Sequence, residues 1–104
     1  MRTIKFALVS VLFYLPTLAQ ANEIKEPQRI VALAPHIVEN LFAIGAGERI
    51  VGTVDYADFP QQANEIERVG GYYGINMEKL LSLKPDLVLA WKTGNKAEDL
   101  AYIE

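Results

Sequence analysis

Three short apolar runs constrain the fold of this chain more than any other feature of its sequence. They lie at residues 30–33, 50–54 and 87–91, and in each of them most successive positions, not alternate ones, are apolar. Runs of this kind are typical of strands that are buried on both faces. Because helical patterns separate the runs, the sequence predicts an α/β fold in which helices flank a parallel sheet.

Helix signals stand between the predicted strands. Pro35 suits the first turn of a helix, and Gly45 and Gly47 are predicted to end it. Asn76 is predicted to cap a second helix over residues 77–83. The apolar stripe of that second helix includes Met77, Leu80, Leu81 and Leu83.

Weaker signals complete the predicted order of elements. Residues 60–66 are predicted to form a short helix, residues 68–69 a brief strand and residues 70–74 a loop. Asn95, with Glu98 three residues later, resembles a capping box and predicts a last helix.

The first 21 residues have the features of a secretory signal peptide. Arg2 and Lys5 precede an apolar stretch over residues 6–18, and Ala19-Gln20-Ala21 predicts cleavage before Asn22. An uncleaved N-terminal anchor is the alternative. Cleavage there would leave 83 of the 104 residues, and the first of these, residues 22–28, are expected to be a polar leader.

Charge and cysteine content exclude several classes of function. The formal net charge of the whole chain is −3, whereas a protein that grips nucleic acid needs a cationic face. The chain has no cysteine, which excludes a disulfide scaffold, zinc knuckles and iron–sulfur ligation. No nucleic-acid partner and no resident metal or cofactor are therefore expected.

Aromatic residues follow the carboxyl ends of the predicted strands, where parallel sheets bind ligands. They are Tyr56, Phe59, Tyr72, Tyr73 and Trp91. Phe59 and Trp91 are expected to pack on the end of the sheet. The three tyrosines lie among glycines and polar residues, and exposed rings there would suit a large planar ligand.

The remaining residues that could take part in a reaction do not favour catalysis. His36 is the only histidine, and its place after the first strand predicts either a contact with a ligand cleft or a structural role. Ser82, the only serine after the predicted cleavage site, falls in mid-helix on the far side of the pattern. The glycines at 45 and 47 close a helix and precede a strand, an order opposite to that of a phosphate-binding turn.

Glu78 falls in the first turn of the helix that Asn76 caps. A carboxylate in that position is favoured by the helix dipole alone. A protruding acidic contact for a basic partner fits the position equally well, and the spacing leaves both interpretations open.

Several motifs together resemble the helical-backbone periplasmic binding proteins, the receptors of ABC importers for cobalamin, ferric siderophores and haem. The resemblance begins with Arg29-Ile-Val-Ala-Leu-Ala-Pro-His36 and Glu39-Asn-Leu-Phe-Ala-Ile-Gly45. It continues through Asp55-Tyr-Ala-Asp-Phe-Pro60, Gly74-Ile-Asn-Met-Glu78 and Leu83-Lys-Pro-Asp-Leu-Val-Leu-Ala-Trp91. Trp91 with Gly94-Asn95 is most similar to the cobalamin receptors of this family. Val38 departs from it, since many relatives have threonine there.

The resemblance implies a fold and a set of roles. Family members have two α/β lobes joined by a long helix, so residues 29–104 are expected to be an incomplete, Rossmann-like N-terminal lobe of a receptor that is monomeric at full length. Cobalamin, or a related planar metal chelate, would be a transported ligand in the periplasm and not a cofactor. The receptor would perform no chemistry and would deliver its ligand to the membrane permease.

Site residues follow from the same resemblance. Tyr56 matches an aromatic residue that contacts cobalamin, and Tyr72 matches a tryptophan of the same cleft. His36 matches a position near the ligand, and Tyr73 is expected to bind the ligand as well, because its ring lies among glycines. Glu78 matches the acidic knob that meets arginines of the importer. A haem or ferric-siderophore receptor stays open and so does, from another class, a fragment of a secreted α/β hydrolase.

Overall fold

The computed structural model describes residues 25–104. The predicted signal peptide at residues 1–21 and the first part of the predicted leader lie outside the described residues. Among residues 25–104 the structure contains no helix with the length and apolarity needed to cross a bilayer.

Strands and helices alternate along the chain, as the apolar runs predict. The helices are α1 (Pro35–Ala43), α2 (Met77–Ser82) and α3 (Ala97–Ile103), with two 3₁₀ turns at Gly47–Arg49 and Gln61–Glu65. The strands are β1 (Ile30–Ala32), β2 (Ile50–Gly52), β3 (Gly70–Gly71), β4 (Gly74–Ile75) and β5 (Leu87–Leu89).

A parallel sheet organises these elements, with the strand order β2-β1-β5. Ile30 of β1 pairs with Ile50 of β2 on one side and with Leu87 of β5 on the other. This arrangement confirms the predicted α/β fold with helices flanking a parallel sheet. The β5 side chains are only half-buried, contrary to prediction, because β5 is an edge of the described sheet.

The core lies on both faces of β1, whose three residues are at most 2% exposed. On one face Ile30 and Ala32 pack with Val38 and Leu41 of α1. On the other face Val31 belongs to a cluster with Leu33, Val54, Val69 and Leu80. Burial on both faces explains why β1 is apolar at every position.

Backbone hydrogen bonds extend the sheet beyond β2. Thr53 is fully buried, and its hydroxyl donates to the carbonyl oxygen of Ala32 at 2.8 Å. Thr53 also forms a parallel bridge with Arg68, which matches the brief strand predicted at residues 68–69. The predicted loop at 70–74 is instead a small antiparallel hairpin, since β3 and β4 pair across a two-residue turn.

Two of the predicted helix details hold and two are wrong. The Asn76 side chain caps α2 by accepting a hydrogen bond from the Lys79 backbone N–H at 3.1 Å. Gly45, at φ 85°, follows α1 in the left-handed conformation that suits a helix end. Leu81 is 56% exposed because α2 buries Leu80 instead. Asn95 forms no cap on α3, because its side chain hydrogen-bonds elsewhere.

Asp86 ties the start of β5 to the start of β1. Its two carboxylate oxygens accept hydrogen bonds from the backbone N–H groups of Gln28 and Arg29, each at 2.9 Å. The Arg29 side chain in turn donates to the carbonyl oxygen of Leu83. The two backbone hydrogen bonds lower the pKa of Asp86 below its ordinary value of 3.8. The Lys84-Pro85-Asp86 sequence therefore does more than end α2, since it fixes how β5 aligns with β1.

We expect Asp86→Asn to unfold at a lower temperature than the unaltered chain near pH 7, because an amide cannot accept both hydrogen bonds. A carboxyl group whose folded-state pKa is lowered stabilises above its unfolded-state value and loses that contribution as the pH falls through the folded-state value. The difference between the two chains should therefore narrow below about pH 4. Thermal unfolding followed by circular dichroism from pH 7 to pH 2 measures the difference in unfolding temperature between the two chains.

Asp58→Asn, which removes an exposed loop carboxylate, is the matched control for this change of charge. An Asp86→Asn curve that runs parallel to the wild-type curve through the acid range would contradict the role assigned to the carboxylate.

Candidate functional site

A recess of about 190 Å³ opens where the strands of the parallel sheet end. The residues that follow β1, β2 and β5 meet there, together with the β3–β4 hairpin. We call it the strand-end recess and define it by its lining: Leu33, Pro35, Val54, Asp55, Tyr56, Gly71, Tyr72, Trp91, Gly94 and Asn95. Its position is the one that parallel sheets commonly use for ligands.

Tyr56 and Tyr72 form an exposed aromatic rim on this recess. Tyr56 is 75% exposed, and its backbone is in the left-handed conformation, with φ 70°. Tyr72 is 80% exposed and lies in the turn between β3 and β4. The structure thus brings together two rings that are far apart in sequence, both available to an incoming flat molecule.

Trp91 also lines the recess, and its backbone is held by Asn95. Its N–H donates to Oδ1 of Asn95 at 2.6 Å, and Nδ2 of Asn95 donates to the carbonyl oxygen of Leu33 at 3.0 Å. The Trp91 ring lies directly over Gly94, where a Cβ would come within 2.0 Å of it. Asn95 therefore links the Trp91 loop to the end of the central strand, and only glycine leaves room for the ring.

His36 reaches the site through Trp91. The His36 side chain is exposed at the start of α1, and its ring meets the Trp91 ring edge to face, with centroids 5.0 Å apart. It is not among the residues that line the recess. The sequence leaves a ligand contact and a structural role open, and this placement gives His36 one contact that supports the aromatic wall.

Tyr73 is 63% exposed and lies next to the rim without lining the recess. Its ring meets that of Tyr72 edge to face, with centroids 5.9 Å apart, but it lines a neighbouring cavity with Lys79 instead of the recess. The negative charge of the Asp55 carboxylate, together with hydrogen bonding to it, raises the pKa of the Tyr73 hydroxyl above its ordinary value of 10.0. Tyr73 thus contacts both the Asp55 side chain and the Tyr72 ring.

The prediction that Phe59 packs on the end of the sheet is wrong, because its side chain is 66% exposed. In the same segment the smaller residues Val54 and Ala57 are buried instead, each at most 4% exposed. Trp91 meets the same prediction only in part, since 44% of it remains exposed.

Two polar residues of the recess are absent from the set that the sequence predicts for the site. In the sequence Asp55 stands out only as part of a family motif, and Asn95 only as a helix cap and as part of the Trp91 with Gly94-Asn95 pattern. The position of Asp55, directly after a predicted strand, is a signal that can find it. Nothing local identifies the role of Asn95, since its partner Leu33 is 62 residues away in the chain.

Glu78 stands apart from the recess, exposed in the first turn of α2. The cap at Asn76 fixes the backbone that carries it. Within residues 25–104 no cluster of three histidine, cysteine or acidic residues could hold a metal ion.

Comparisons with known proteins agree on one family. A family profile described as periplasmic binding protein matches residues 30–103. A vitamin B12-binding protein of Vibrio vulnificus strain YJ016 is 43% identical over 77 residues, which are 74% of this chain and 28% of that protein. This chain spans less than a third of the length of that relative.

Solved structures of related proteins have the same fold over the described lobe. The periplasmic vitamin B12-binding protein of Vibrio cholerae is 47% identical with a TM-score of 0.72, over 74% of this chain and 30% of that one. The periplasmic haem-binding protein of Roseiflexus sp. RS-1 is 34% identical with a TM-score of 0.68, over 75% of this chain and 30% of that one.

We expect Asn95→Ala to lower the free energy of unfolding by about 1–3 kcal/mol, because the Trp91 N–H and the Leu33 carbonyl both lose a partner. Trp91 is the only tryptophan of the chain, so its emission reports on the wall directly. The emission maximum should shift to longer wavelength as the ring becomes more exposed.

Denaturant unfolding and fluorescence of the same samples measure the two effects. Asn64→Ala removes an exposed side chain that bonds only within its own turn, and it serves as the control. An unchanged emission spectrum in Asn95→Ala would contradict the role assigned to Asn95.

Proposed function

This chain belongs to the periplasmic binding protein family, and we propose that it forms the N-terminal wall of a cobalamin-binding cleft in the receptor of an ABC importer. The observation that carries the proposal is the strand-end recess with its aromatic rim. Tyr56, Tyr72 and Trp91 surround it, and their flat faces suit a large ring system. The similarity to vitamin B12-binding proteins covers the same segment.

The remaining roles in the proposal follow from that assignment. Residues 1–21 direct export to the periplasm and are removed, and residues 29–104 form part of one lobe. Cobalamin is cargo, bound without chemistry and released at the membrane. Tyr56 and Tyr72 stack on the ligand, whereas His36 packs on the Trp91 ring and Tyr73 on the Tyr72 ring.

A haem receptor is the second candidate, and one observation favours it. The Roseiflexus neighbour is described as haem-binding, and haem iron in proteins is held by histidine or tyrosine among other ligands. Tyr56, Tyr72 and His36 are such residues near one recess. Cobalamin remains the first candidate because the identity to the Vibrio cholerae protein is higher.

A siderophore receptor and a hydrolase both have less support. A ferric-siderophore receptor would be expected to place arginine or lysine in the cleft, and the described lining of the recess contains neither. A hydrolase would need a nucleophile beside a base, but the Ser82 hydroxyl donates to the carbonyl oxygen of Lys79 within α2.

A chimera tests the proposal at full receptor length. Residues 30–103 of this chain replace the matching segment of the Vibrio cholerae vitamin B12-binding protein, so the strand-end recess faces a complete second half. Calorimetric titration with cyanocobalamin and with haem then compares the two candidates. Binding of haem alone would replace the cobalamin proposal with the haem proposal.

We expect Tyr56→Ala and Tyr72→Ala, each made in the chimera, to weaken cyanocobalamin binding by about 1–2 kcal/mol, or roughly five- to thirtyfold in Kd. Each change removes a ring that contributes apolar contact area to the ligand. Tyr102→Ala is the control, because Tyr102 is 66% exposed but lies on α3, outside the recess. If calorimetry gives the same Kd for all three variants, the two tyrosines are not part of the site.

We expect Glu78→Arg in the chimera to abolish docking to the importer and to leave the Kd for cyanocobalamin within about twofold. The carboxylate is exposed and oriented by α2, so it can pair with an arginine of the permease, whereas an arginine in its place would repel that partner. Glu78→Ala should weaken docking less, and the loss of a first-turn acid should cost the fold no more than about 1 kcal/mol.

Uptake of cobalamin by Vibrio cholerae cells that lack their own receptor measures docking, and calorimetry measures ligand affinity. Glu98→Arg is the matched control, since Glu98 is an exposed acid in the first turn of α3. Normal uptake with the Glu78→Arg chimera would leave Glu78 as a helix-start residue only.

A further inference from the structure

One charged residue stands out in the strand-end recess. Asp55 is the sole acidic or basic side chain among the described residues that line it. It is half-buried and directly follows the segment that continues β2. The rest of the lining is apolar, aromatic, glycine or the Asn95 amide, so Asp55 dominates the electrostatics of this wall.

The Asp55 side chain has a fixed position. Its backbone N–H donates to the carbonyl oxygen of Gly70 at 2.8 Å, which anchors the residue to the β3–β4 hairpin. A Cβ on Gly71 would lie only 2.8 Å from the carboxylate oxygen Oδ2, so that oxygen packs against the Gly71 backbone. The Tyr73 ring also lies within 2.8 Å of the same Cβ position and closes the other side.

No cation neutralises this carboxylate among the described residues. The three ion pairs between described side chains involve Arg49, Lys79 and Lys96, and none of them includes Asp55. Lys96 pairs with Glu98, and Lys79 pairs with Glu67. Asp55 thus brings an unpaired negative charge to the lining of the recess, with the Tyr73 hydroxyl as its neighbour.

A ligand that covers the recess would take the half-buried Asp55 carboxylate further out of solvent. Removing solvent from a carboxylate is costly unless the ligand donates hydrogen bonds to it. An edge with amide N–H groups supplies such donors. An edge with carboxylates supplies none at neutral pH and adds repulsion between like charges in a partly buried site.

We propose that Asp55 is a specificity-determining residue, which selects planar ligands fringed by carboxamides and rejects those fringed by carboxylates. This inference rests on the proposed function and deepens it. A corrin such as that of cobalamin carries carboxamide side chains, whereas a haem carries two carboxylates. Asp55 distinguishes the two classes by the chemistry of their edges, while Tyr56 and Tyr72 contact the flat faces that both classes share.

Two corrinoids of the same ring test the proposal. Dicyanocobinamide carries carboxamides at its edge, and dicyanocobyrinic acid carries carboxylates at the same positions. Calorimetry gives the Kd of each for the chimera and for its Asp55→Asn variant. We expect the wild-type recess to prefer the cobinamide, and Asp55→Asn to reduce that preference by at least about tenfold. A loss of structure alone would weaken both ligands and leave their ratio unchanged.

Asp58→Asn is the matched control, because it makes the same change of charge three residues away and outside the recess. Asp55→Ser replaces Asp55→Asn if the amide disturbs folding. Binding of both corrinoids with an unchanged ratio in the Asp55 variants would overturn the inference and leave the proposed function standing. An equal effect of Asp58→Asn would overturn it as well, since the charge would then act at long range. Binding of neither corrinoid would overturn the proposed function and the inference with it.

Discussion

The burial of β1 on both faces is the constraint on which the rest of this structure depends. A strand in that position can pair only with strands on its two sides and must be covered above and below by helices. The parallel partners β2 and β5 meet the first requirement, and α1 and α2 supply covering side chains. Because all three strands run in one direction, their carboxyl ends lie at one edge, and the recess forms there as a consequence of the fold.

The sequence predicts the parts of the fold that local physics determines. Apolar runs predict the three strands, and Asn76 predicts the start of α2, because a strand buried on both faces and a capped helix both have short-range signals. The failures depend on distant partners. Asn95 has the sequence of a helix cap, yet its amide bonds to Leu33, and Leu81 is exposed because the described part of the chain covers the other side of α2.

The residues of the candidate site also divide into those with a short-range signal in the sequence and those whose role depends on distant partners. Tyr56 and Tyr72 can be assigned to it from the sequence, because residues after parallel strands meet at one edge. The prediction for Phe59 fails, since Phe59 is exposed while Val54 and Ala57 are buried, and residue types alone do not reveal which of several neighbours enters the core. The electrostatic role of Asp55 requires the geometry, because it depends on which cations pair elsewhere.

The left-handed backbone of Tyr56 has a consequence for any attempt to raise the thermal stability of this protein. A side chain other than glycine at φ 70° costs on the order of 1 kcal/mol, so the chain gives up stability at the position where it presents a ring to the recess. A library screened only for resistance to heat would therefore enrich glycine at position 56. The selected variants would unfold at higher temperature but would lack one of the two rings of the aromatic rim. Position 56 therefore has to be excluded from mutagenesis when the protein is stabilised.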